Sequence, residues 1–150
     1  MAEKKEHEEN KDYKEYGSVM AQILSCVRSL RLMEDALTRA ASSSNTDEID
    51  RIVREAQPGI LTFRGLDRKR IQLEKELGFS GKRLSEIASL LPADETGLKD
   101  VLSGLETELL RYKSSREEAD RIMKVRLDDV NRVLESQGVL PKDPFHETLA

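Results

Sequence analysis

The chain has 150 residues and a formal charge of −4, with 36% of its residues charged and the two signs finely mixed. That length allows one domain with a real core and not two comfortable ones, and the charge balance argues against a general attraction to nucleic acid or to an acidic membrane. The single cysteine, Cys26, excludes an internal disulfide and fits a reducing compartment. Ala, Glu, Lys, Leu and Arg make up about half of the residues, which is the composition of long packed helices. There is no Trp and no run of alternating β-branched residues that would make a strand. The expected fold is all-α: an antiparallel helical bundle of three long helices plus one short helix, with the last helix protruding.

Residues 1–15 form a mixed-charge run without an apolar period, either a flexible leader or a frayed extension of the first helix. From Tyr16 a heptad begins, running through Met20, Ile23, Val27, Leu30, Leu37 and Ala41 with Glu34 out of pattern. Val19, Leu24, Cys26 and Met33 widen this stripe into a face broad enough for two neighbours. Ser42, Ser43, Ser44 and Asn45 then end the helix, because short polar side chains compete for backbone hydrogen bonds.

Asn45 or Thr46 is placed to cap a second helix, whose seam reads Ile49, Ile52, Ala56, Gly59, Phe63, Leu66, Arg70, Leu73 and Leu77. Pro58 sits inside it, and because the seam keeps phase on both sides a kinked helix is expected rather than a loop. Gly78 closes it as a C-cap. Ser80 is placed to cap a short helix over Gly81 to Leu91, ended by Pro92, and Asp94 or Thr96 to open the last one.

That last helix is expected over about Thr96 to Glu135, and the rest of the chain is expected to be organised around it. At 1.5 Å per residue it is roughly 60 Å long, whereas a compact domain of this length is about 30–35 Å across. Its seam comprises Leu98, Val101, Leu102, Leu105, Leu109 and Tyr112, then Ala119, Ile122, Met123, Leu127, Val130, Val133 and Leu134. Polar residues from Lys113 to Glu118 separate the two blocks. The first block has partners within the chain; the second, unless it folds against Tyr16 to Ile23, is left for another protein. The bundle therefore spans residues 16–136, and residues 137–150 form a flexible tail that keeps Val139 and Leu140 apolar.

No catalytic constellation is legible, and an enzyme is not expected. His7 and His146 lie in the terminal extensions, away from any element that could position a general base. Cys26 has no histidine partner and suits a core position. Glu106, Glu108, Glu117 and Glu118 beside Arg111, Arg116 and Arg121 look like exposed ion pairs. Arg64, Arg68, Lys69 and Arg70 are interrupted by acidic residues and lack aromatic residues to stack on bases. No metal and no cofactor are expected. A charged N-terminus and the absence of about 18 consecutive apolar residues predict a soluble, cytoplasmic protein without an integral membrane segment.

The segment Asp47 to Glu135 resembles the FlgN-type flagellar export chaperones. The likeness lies in the order of three phrases: IDRIVREAQPGILTFRGLDRKRIQLEKELG, then LSEIASLLP, then LKDVLSGLETELLRYKSSREEADRIMKVRLDDVNRVLES. The chain departs from the pattern at Ser114, Ser115, Arg116 and Ala119, where relatives often carry asparagines, and at Pro58-Gly59. The resemblance implies a cytoplasmic helical chaperone that binds hook-filament junction proteins before export and presents them to the type III export apparatus, with no cofactor. It places cargo on the end of the last helix and the tail, here Ile122, Met123, Leu127, Val130, Val133, Leu134, Val139 and Leu140. The residues by themselves leave two other functions open, a coiled-coil scaffold that homodimerises through the same stripe and a small regulatory or nucleic-acid-binding helical protein, the last opposed by the mixed charge. A chaperone of this kind would also be able to homodimerise without cargo.

Overall fold

The computed structural model describes residues 12–138, and every regular element among them is helical. The described residues form four helices: α1, Lys14–Ser42; α2, Thr46–Leu77; α3, Leu84–Leu90; and α4, Thr96–Ser136. No helix among the described residues is long and apolar enough to cross a membrane.

α1 takes its place from its stripe. Tyr16, Met20, Ile23, Val27, Leu30 and Ala41 are buried, joined by Val19 and Leu24, so the apolar arc spans two directions around the helix axis. One side of the arc packs on α2 and the other on α4, while α3 packs on α4 alone. The expectation that the last helix organises the chain is thus corrected. α1 is the central helix because its stripe packs on both of the other long helices, which do not pack on each other. Tyr13, just before α1, is also buried and stacks on Phe79, with ring centroids 6.2 Å apart.

The turn from α1 to α2 is compressed. Ser44 takes a left-handed backbone (φ 57°), letting Asn45 N–H return to the Ala40 carbonyl at 3.0 Å and Ser44 N–H to the Ala41 carbonyl at 3.2 Å. The hydroxyls of Ser42 and Ser43 donate to the carbonyls of Thr38 and Arg39, the latter also accepting the Ser43 N–H. Asn45 also starts the next helix, since its side chain accepts the Glu48 N–H at 3.1 Å and caps α2.

α2 runs unbroken through Pro58. Just beyond it, a Cβ on Gly59 would lie 3.3 Å from Leu30 Cδ2, so the absence of a side chain there lets α1 come close. Cys26 Sγ donates to the Gly59 carbonyl at 3.4 Å. Gly78 ends the helix at φ 80°, with Phe79 N–H on the Glu74 carbonyl at 2.7 Å. That bond turns the chain so that Phe79 enters the core beside Tyr13 and Tyr16.

One predicted start, that of α3, and two predicted caps are corrected, while α4 begins at Thr96 as expected. α3 begins at Leu84, with Arg83 and not Ser80 at its N-cap, because Gly81 sits at φ 74° and holds a separate turn closed by Lys82 N–H on the Phe79 carbonyl. α4 has Glu95 at its N-cap and no side-chain cap, so neither Asp94 nor Thr96 plays that part. The core they close contains Ile87 and Leu91 of the short segment with Leu98, Leu102 and Leu105 of α4.

Contacts order the helices along one another. Between α1 and α2 they run in opposite sequence order: Tyr16 meets Glu74, and Leu30 meets Gly59. Between α1 and α4 they run in the same order, with Gly17 against Leu98, Leu24 against Gly104, Arg31 on Glu108 and Glu34 on Arg116. Arg126 reaches the Ser42 carbonyl at the end of α1. The end of α4 therefore lies toward Ser42, and the idea that its apolar stripe closes on Tyr16 to Ile23 is overturned.

Candidate functional site

Three carboxylates inside the bundle fix how the long helices sit on one another: Glu74 joins α2 to α1, and Glu108 and Glu34 join α4 to α1. Glu74, 3% exposed, accepts the Tyr16 hydroxyl at 2.9 Å and Arg70 Nη1 at 2.8 Å. Burial, followed by the negative charge of Glu74, pushes the Tyr16 phenol well above its ordinary value. Glu108, 5% exposed, accepts Arg31 Nε at 2.8 Å across the α1–α4 contact, with Arg28 at 3.6 Å and Arg111 at 3.5 Å. It lies under this layer of arginines rather than deep among apolar side chains, and the hydrogen bond from Arg31 holds its carboxyl below the usual range. The expectation of an exposed pair at Glu108 is thereby corrected. The clue was its place on the line Val101, Leu105, Glu108, Tyr112, which keeps the alternating four-three step of the seam.

Glu34 is the third. It interrupts the α1 heptad because it faces α4, where Arg116 Nη1 lies 3.4 Å away and bridges on to Asp120 through Nε at 3.9 Å. Burial pushes the Glu34 carboxyl up, against the opposing pull of Arg116. The polar break between Lys113 and Glu118, which reads in sequence as a simple interruption, thus contains a link between two helices.

Beyond this link the cover ends. Ala119 is the last buried residue of α4, and the helix continues to Ser136 with none, a distance of about 25 Å. Ile122, Met123 and Leu134 are half-buried, whereas Leu127 is 59%, Val130 53% and Val133 54% exposed. Val125, absent from the sequence-based set, is exposed as well. Val139 and Leu140 lie outside the described residues, as do His7 and His146. Met123, Leu127, Val130 and Leu134 follow one another at steps of four, three and four, which puts them on one side of α4. Continued toward the N-terminus, the same side carries Asp120, Arg116 and Tyr112.

There it borders a cleft of about 270 Å³ between α1, α2 and α4, lined by apolar residues that include Met33, Leu37, Ile52, Ala56 and Ile60. The cleft exists because α2 and α4 each pack on α1 and not backbone to backbone on each other. What this arrangement offers chemically is a helical apolar strip leading into a walled cleft with charges at one edge. It holds no nucleophile beside a base, and no three metal-ligating side chains converge among the described residues. No protein-family model, no curated protein and no solved structure matches the chain.

Proposed function

We propose that this chain is a protein-binding export chaperone of the FlgN type, a cytoplasmic protein without catalytic activity or cofactor. In this reading the helices form an antiparallel bundle past which the end of α4 protrudes. That end takes a helical segment of a hook-filament junction protein, and the pair is delivered to the type III export apparatus. The observation that carries the reading is the uncovered strip on α4, with Leu127, Val130 and Val133 all more than half exposed over two turns. Apolar rows of this kind usually mark a partner site, and a four-three-four spacing suits a partner helix with anchors at i, i+4 and i+7. The order of the three phrases along α2, α3 and α4 supplies the family.

The same strip supports a second reading, a homodimeric scaffold in which two α4 ends cover each other. The experiment that tests the first reading is the double substitution Leu127→Asp and Val130→Asp. Retained helicity, an unfolding free energy within about 0.5 kcal/mol of the parent and lost binding to the junction segment are expected. Unfolding of the double variant would show the strip to be core instead.

A further inference from the structure

The cleft between α1, α2 and α4 carries an electrostatic imbalance. Its wall is apolar, yet three charged side chains stand at its α1–α4 edge: Glu34, Arg116 and Asp120. One guanidinium serves both carboxylates, at 3.4 Å and 3.9 Å, and both distances exceed those of a close charge-assisted hydrogen bond, about 2.7–2.9 Å. Glu34 is the poorer served of the two, because its side chain is only 15% exposed and water cannot make up the difference. The other arginine nearby on α1, Arg31, is committed to Glu108 and Asp35. The cleft's lining thus has an excess of one negative charge, with Glu34 in a setting of reduced dielectric, where a second cation gains most, and Asp120, 69% exposed, at the solvent edge.

Space and direction narrow what could bring that cation. A void of about 150 Å³ holds a benzene molecule, so about 270 Å³ takes one large apolar side chain and part of a second. It does not take a whole helix, only the side chains projecting from one. Such a helix is what the strip Met123, Leu127, Val130, Leu134 already suits, and the strip runs into the cleft along the same side of α4. We infer that the cleft receives the end of the partner's amphipathic helix, which places one large apolar anchor against Ile52 and Ile60 and one arginine or lysine between Glu34 and Asp120. This rests on the reading of α4 as a protein-binding surface and adds to it the chemistry of the segment bound: apolar anchors at helical spacing with a basic residue among them.

The test uses two synthetic 20-residue amphipathic peptides with leucines at i, i+4, i+7 and i+11. They are identical except for arginine or glutamate at one position on the leucine face, and titration calorimetry measures their binding to the full chain. The arginine peptide is expected to bind at least tenfold more tightly, and Glu34→Gln with Asp120→Asn is expected to abolish the difference. Equal binding of the two peptides, or a preference that survives that double substitution, overturns the proposal. Leu127→Asp with Val130→Asp separates the two levels. Equal binding that this pair abolishes removes the cleft proposal and leaves the strip. An arginine preference that this pair leaves untouched, and that Glu34→Gln with Asp120→Asn removes, keeps the cleft and removes the strip. No binding of either peptide to the parent chain removes both.

Discussion

Glu34 and Glu108 stand on the same interface and titrate in opposite senses. The Glu108 carboxyl is held low by Arg31, so its contribution is fully present above the unfolded value, about 4.3, and is lost as pH falls through the folded value. The Glu34 carboxyl is pushed up by burial, so the folded state holds its proton longer and stability declines as pH rises from the unfolded value through the raised one. Glu108→Gln is therefore expected to lower the urea midpoint at pH 7, and Glu34→Gln to leave it unchanged or raise it. The Glu34 difference should shrink as pH falls to the unfolded value, about 4.3, whereas the Glu108 difference should shrink only as pH falls further, through its lowered folded value. Urea titrations at about pH 7 and pH 3.5 check both signs. Neither residue's role was legible from type alone, since a glutamate in a helix is ordinarily a solvated one. The legible part was positional: Glu34 occupies a heptad position, and Arg70 occupies a seam position with Glu74 four residues on, so a charge within an apolar stripe demands a partner.

Element boundaries divide by the physics that sets them. Where a local device ends a helix the sequence shows it, as at the serine run after α1 and at Gly78, whose φ of 80° disfavours any residue with a Cβ. Gly78→Ala is accordingly expected to cost about 1–2 kcal/mol. Gly65, by contrast, lies within α2, and a Cβ added there would meet nothing within 4 Å, so Gly65→Ala should stabilise by about 0.5–1 kcal/mol. Thermal unfolding of the two variants is expected to give midpoint shifts of opposite sign. The unbroken course of α2 through Pro58 followed from the seam keeping phase across it. The start of α4 at Thr96 followed as well, but its cap and the start of α3 did not, because neither helix has a side-chain cap to betray it, and the Gly81 turn that delays α3 is set by how Phe79 is drawn into the core.

At the scale of the molecule, composition and period were enough for the all-α character of the described residues, with their three long helices and one short one. They were not enough to rank the helices. α4 is the longest and carries the most extended seam, yet α1 is central, because centrality depends on the angular width of the apolar arc and not on helix length. Length shows itself instead as the run of α4 past its last buried residue, Ala119. The residues chosen for binding from sequence fall on that run as far as Leu134, where three of them are more than half exposed. Exposure of that strip makes it available, and what occupies it is a question of association.

Light scattering in solution answers that question most directly, first on the chain alone, with a monomer mass of 17.0 kDa, and then with the C-terminal helical segment of a junction protein. A monomer or weak dimer that converts to a one-to-one complex on addition of the segment is the expected result. A tight dimer whose mass is indifferent to the segment would contradict the chaperone reading and favour two α4 ends covering each other.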